Sequence, residues 1–220
     1  MKPLVRVEDL QTALDKELAW RIQELSDLSL SLKESKTQRV LLRGSLALLY
    51  AHWEGFVKQS ATHFLTHVLR QRLRYSEVCK SLVFHGLKSS VNSLTDTNKA
   101  RLGADTLALL QITYSERVNF KPSNVIKTKG NLSSERFEEI LTSLNLDPSP
   151  FQTKYKLIDV LLLERRNKIA HGEYIDVPLK DFESIKSITL ILMRNFKDAI
   201  ENAASQKTYL LGHCQACNQL

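Results

Sequence analysis

Arg166 and His171, five residues apart, are the pair in this 220-residue chain best suited to act together on one chemical group. A guanidinium carries a fixed charge and a fork of N–H donors that fits phosphate oxygens, while an imidazole gains or loses a proton near neutral pH. Held at one phosphate, the two can stabilise developing charge and move a proton. They lie in the run Arg165-Arg166-Asn167-Lys168-Ile169-Ala170-His171-Gly172-Glu173. On an uninterrupted helix their side chains would point roughly 140° apart, too far round to address one phosphate. Gly172 offers a left-handed C-terminal position, so the helix is expected to stop near His171 and let the imidazole swing back toward the arginine.

An arginine, an adjacent polar residue and a histidine closing an R-x-x-x-x-H spacing, here Arg166, Asn167 and His171, resemble the signature of the HEPN superfamily. The upstream stretch LLYAHWEGFVKQSATHFL is similar to a prokaryotic branch of it, in which a tyrosine-rich helix with a W-E-G-F-like core precedes the motif helix. The resemblance spans about residues 35–75 and 150–205. It implies a helical bundle that forms a homodimer, with two motifs facing one composite cleft, and that cleaves RNA without metal through the RNA's own 2′-hydroxyl. His171 would then be the acid/base, Arg166 the clamp on the pentacoordinate phosphate, and Asn167 a group orienting substrate or histidine through its amide. Further implications are a toxin or antiviral defence role, an antitoxin or defence-system partner, RNA as substrate, and no cofactor. The alternative is a non-catalytic HEPN-like module that binds RNA, a nucleotide or a protein. A third reading is an interaction protein that docks another chain through residues 76–150.

Other residues are candidates for support. Glu54 interrupts an apolar stretch, so a buried carboxylate there would need a cationic partner, for which Arg165 or Arg166 is suited; a solvated side of the helix explains it equally well. Lys168 beside the motif, and Arg70, Arg72 and Arg74 at the end of a long helix, can contact an RNA backbone; the same arginines also complement a helix C-terminus. Tyr174 lies three residues past the histidine, where some family members have a tyrosine two past, and receives no role. His213, Cys214 and Cys217 are metal-binding types, but four ligands are normally needed, so a polar tail is expected and no metal site. His63 and His67 are four apart and could share a ligand; together with His52 they are expected to be helix-surface residues.

The elements that must position these groups read as helices throughout. Val7, Leu10, Leu14, Leu18, Ile22, Leu25 and Leu28 predict a helix over about 5–34. Leu42, Leu46, Leu49, Trp53, Phe56, Ser60 and Phe64 predict the longest one, about 36–74. Gly44, Ser45, Ala51 and Gly55 within it lower helix propensity and suggest close approach by a neighbour. Residues 76–150 read as a helical insertion or lid, with shorter pieces at about 76–90, 98–112 and 134–145; its middle, with Lys121, Lys127, Lys129 and few apolar anchors, should be its most mobile part. Leu157, Val160, Leu161 and Glu164 begin the motif helix's inner face. Phe182, Ile185, Thr189, Leu192, Phe196 and Ala199 line the last helix, with Pro178 in its first turn. No period-2 strand or repeat appears, so the expectation is an all-α, HEPN-like up-and-down bundle: one domain over 1–205, with the insertion between the second long helix and the motif helix, and a tail over 206–220.

Composition agrees with such a domain. A hydrophobic fraction of 43% suffices for a core, and 31 Lys+Arg against 24 Asp+Glu favour polyanionic partners. The opening residues lack a secretory apolar stretch, no apolar run reaches membrane-spanning length, and three cysteines make no disulfide framework. A cytoplasmic protein without membrane association is expected. Walker, G-x-G-x-x-G, H-E-x-x-H and G-x-S-x-G motifs are all missing, which removes support for those enzyme classes.

Overall fold

The computed structural model describes residues 4–34, 38–95, 101, 104, 108, 114–128 and 130–212. Helices α1 (Val7–Glu34) and α2 (Gln38–Arg70) are followed by a 3-10 turn (Tyr75–Glu77) and α3 (Lys80–Thr95). Three short helices come next: α4 (Pro122–Val125), α5 (Ser134–Ser143) and α6 (Ser149–Gln152). A π-helical stretch, Leu157–Glu164, runs directly into α7 (Arg165–Ala170), and α8 (Leu179–Gln206) completes the all-α bundle. Helix α3 and the three short helices lie between the second long helix and the motif helix. Among the described residues β-pairing is limited to two isolated bridges. The piece expected at 98–112 falls almost wholly outside the described residues.

Helix α2 is the axis around which the rest assembles, packing against α1, α8, α7 and the π-helical stretch. Surrounded in this way, it buries far more than one stripe, from Leu42 to Val68. The expectation that His52, His63 and His67 sit on the surface is therefore wrong: all three are buried. His52 Nε2 lies 3.2 Å from Glu24 and its ring 5.3 Å from that of Trp20, both on α1. His63 Nε2 is 3.9 Å from Glu17, and His67 Nδ1 is 3.2 Å from the Leu4 carbonyl oxygen. Each histidine faces its own partner, so His63 and His67 share no ligand. Of the small residues in α2, Gly55 meets the expected close neighbour, since a Cβ there would stand 3.3 Å from the Arg21 guanidinium of α1. Gly44 does not: nothing lies within 4 Å of its Cβ position.

The segment between α2 and the motif helix contributes to the same core as the long helices. Phe137 of α5 is fully buried and touches Trp53 at 5.1 Å, Phe151 at 5.2 Å and Phe196 at 5.5 Å between ring centroids. These tilted and edge-on contacts join α2, α5, α6 and α8 in one aromatic cluster. The stretch before α5 has more apolar anchors than its sequence suggests, because Val118, Ile126 and Leu132 are all buried. Ser133 caps α5 by accepting from the Arg136 N–H, and Ser134 donates its N–H and hydroxyl to Asp159 of the π-helical stretch at 2.7 and 2.5 Å. That ties the segment to the element leading into the motif.

The π-helical stretch also changes which residues face inward. Leu157, Ile158 and Leu162 are buried, whereas Val160, expected on the inner face, is 39% exposed and Leu161 half-buried. An i→i+5 hydrogen-bond pattern lengthens the turn, so a period of 3.6 misplaces the stripe. On α8 the expected face holds at Phe182, Ile185, Thr189, Leu192 and Phe196; Pro178 occupies the N-cap, one residue before the first turn.

Candidate functional site

Helix α7 ends as the sequence predicts. His171 is its C-cap, and Gly172 takes the left-handed conformation at φ +80°. The Gly172 N–H donates to the Ile169 carbonyl at 3.1 Å and the Glu173 N–H to that of Lys168 at 2.9 Å. This pair of bonds is the Schellman arrangement, which ends the helix sharply and satisfies two of its last carbonyls. His171 is left exposed at that corner, and among the described residues its ring has neither a hydrogen-bond partner nor an ion pair.

Arg166, one turn earlier, is held from several sides. Its Nη1 donates to Asn167 Oδ1 at 2.7 Å and to Asn131 Oδ1 at 3.3 Å, and its Nη2 donates to the Gly130 carbonyl at 3.0 Å. The guanidinium carbon sits 4.8 Å from the centre of the Tyr50 ring on α2, a cation–π contact. Tyr50 in turn accepts the Leu132 N–H at 2.5 Å, where Leu132 is wholly buried. Loop residues 130–132 are thereby fixed to α2 and present acceptors to the arginine. Among the described residues no carboxylate lies within ion-pair distance of Arg166. Its charge is oriented but uncompensated, and part of its donor fork is unused.

A sequence profile describing the MAE_28990-like HEPN family matches residues 10–209. The chain belongs to the HEPN superfamily. Neither a curated protein nor a solved structure matches it. The matched range takes in α3 to α6 and with them the loop that supplies Gly130 and Asn131.

The expected supporting residues are distributed differently. Glu54 does not pair with Arg165 or Arg166; it lies one turn along α2 from Tyr50 and interacts with the phenol by charge and a hydrogen bond. Burial is the main cause, with Glu54 adding, that pushes the Tyr50 hydroxyl up to about 12, so it keeps its proton at neutral pH. Arg165 is half-buried, with Nη1 lacking a hydrogen-bond partner. Lys168 forms an ion pair with Glu164 at 2.7 Å, and that carboxylate holds its ammonium above the usual lysine range. Asn167 orients Arg166 rather than His171. Arg70, Arg72 and Arg74 lie at the far end of α2: the twenty residues from Tyr50 to Arg70 span about 30 Å of helix, so they form no single site with the motif.

Four residues of the site carry no signal in the motif. Tyr50 lies one turn before Glu54 in the W-E-G-F helix, which is the only hint of it in the sequence. Gly130 and Asn131 come from a loop without periodicity. Arg43 donates to the Glu173 carbonyl at 2.8 Å, with its guanidinium carbon 5.6 Å from the exposed ring of Tyr174, so it braces the chain just past His171. His213, Cys214 and Cys217 lie outside the described residues, and no group of three or more metal-ligating side chains occurs among the described ones. No described helix is long and apolar enough to cross a membrane.

Proposed function

We propose that this HEPN domain is an endoribonuclease that cleaves RNA by attack of the 2′-hydroxyl on the adjacent phosphorus. The observation that carries the reading is the contrast within one short helix end: a clamped, uncompensated guanidinium at Arg166 and an unpartnered, solvent-facing imidazole at His171. In the reaction the 2′-oxygen–phosphorus bond forms and the bond to the 5′-oxygen breaks, leaving a 2′,3′-cyclic phosphate and a 5′-hydroxyl. One proton leaves the 2′-hydroxyl and one reaches the 5′-oxygen, a task for two imidazoles, which a homodimer with facing motifs would provide. Arg166 would bear on the phosphate oxygens as negative charge builds. Tyr50, Asn131, Asn167 and the Gly130 carbonyl are its positioning groups. A toxin or antiviral effector role, restrained by a partner protein, is the use this activity would suit.

The three hydrogen bonds from Arg166 to its own chain also favour a second reading, a binding module in which the arginine rivets the loop to α7. The test is digestion of total RNA in EDTA by the wild type, Arg166→Ala and His171→Ala. Cutting that survives chelation, leaves cyclic phosphate ends and falls at least 100-fold in both variants supports the nuclease. RNA bound yet intact with all three proteins replaces it by the binding module.

A further inference from the structure

A second feature adjoins the motif through the same loop. A groove of about 580 Å³ lies between α3 and the stretch Asn119–Lys127. Its lining includes Lys88, Lys121 and Lys127 with His85, Phe120 and Asn124, and no carboxylate among the described residues. All three lysines are exposed, and none forms an ion pair with a described residue. Three like charges around one concavity repel each other, and an anion entering it relieves that repulsion.

Flat rings accompany the charge. His85 contacts the rings of Phe84 at 5.3 Å and Phe120 at 6.4 Å, and Phe84 is 49% exposed at the rim, with Lys88 Nζ 5.6 Å from its centroid. Cationic side chains interleaved with accessible aromatic faces suit a strand whose phosphates and unpaired bases are both available. A duplex keeps its bases stacked internally and cannot offer them to the rings. The groove is also close to the motif: Gly130 lies three positions after Lys127, at most about 11 Å of chain, and the Gly130 carbonyl accepts from Arg166.

We infer that this groove holds single-stranded RNA flanking the phosphate presented to Arg166 and His171. The lysines contact backbone phosphates, and Phe84 and Phe120 stack on bases. The assignment of the flanked phosphate rests on the ribonuclease reading; occupancy of the groove is measured without it.

The test uses the full chain carrying His171→Ala, so that RNA survives, with fluorescence anisotropy of a labelled oligouridine over a salt series. Lys88→Ala/Lys121→Ala/Lys127→Ala is expected to weaken binding and to reduce the slope of log K against log salt by about 2, at about 0.7 per phosphate contact. Phe84→Ala is expected to weaken binding about 5-fold or more at unchanged slope. Arg70→Ala/Arg72→Ala/Arg74→Ala, which removes the same charge from side chains that do not line the groove, should match the parent. The inference is overturned if the lysine variant keeps the parent's affinity and slope, if the arginine variant falls equally, or if the parent binds no oligouridine. Parallel cleavage by chains with His171 intact separates the two readings. Binding lost in the groove variants of a chain that cuts nothing leaves the groove and removes the nuclease; undiminished binding and cutting in those variants does the reverse.

Discussion

Replacing Tyr50 by phenylalanine removes one oxygen atom from beneath the site and leaves the ring on which Arg166 rests. That oxygen accepts the Leu132 N–H at 2.5 Å, and Leu132 is wholly buried, so the amide loses its partner where water cannot replace it. A buried donor left unsatisfied costs about 1–3 kcal/mol. In a domain of this size each kcal/mol lowers the melting temperature by about 2–4 °C, so Tyr50→Phe should melt roughly 2–12 °C below the wild type. Loop residues 130–132 should loosen first, because the amide at Leu132 is their tie to α2, and Arg166 would lose the fixed acceptors at Gly130 and Asn131. Scanning calorimetry gives the stability, hydrogen exchange at Leu132 gives the local opening, and RNA cleavage gives the effect on the arginine. A fall in cleavage, with oligouridine affinity within about 3-fold of the wild type, would mark Tyr50 as a positioning residue. An unchanged melting temperature together with a still-protected Leu132 amide would refute the argument, since the bond would then not be holding the loop.

The helix end and the buried histidines give two further expectations. Gly172→Ala forces a side chain into the left-handed conformation at φ +80°; it should cost about 1 kcal/mol and lower cleavage by moving His171, with Gly172→Asn intermediate on both readouts. Equal stability and activity for all three proteins would show that the corner tolerates a side chain. Burial, outweighing the attraction of Glu24 for His52 and of Glu17 for His63, holds both imidazoles below their usual pKa. The folded state then binds fewer protons than the unfolded state, so stability is full above the unfolded value near 6.5 and is lost as pH falls from there through the folded values. The wild type should therefore be less stable at pH 5 than at pH 7.5, by no more than about 1.4 kcal/mol per pH unit for each histidine, and His52→Gln should narrow the difference in denaturant unfolding. A gap that stays as wide in the variant would assign the pH dependence to other groups.

The segment ERRNKIAHGEY, the W-E-G-F helix and helical periodicity were sufficient to give the superfamily, the all-α class and the termination at Gly172. These are local properties: a positive-φ corner, a spacing and a repeat of apolar residues are written within a few neighbours along the chain. The inward face of Leu157–Glu164 was misread because a π-helical turn has no signature in a pattern counted at 3.6 residues. The histidines of α2 were misplaced because whether one side of a helix is wet depends on how many neighbours surround it, and α2 is enclosed by α1 and α8 as well as by the motif helix. What surrounds Arg166 was decided only by tertiary structure. Asn131 lies 35 residues from it in sequence and Leu132 82 residues from Tyr50, and a loop without periodicity becomes part of the site because Phe137, buried just beyond it, anchors that segment in the core.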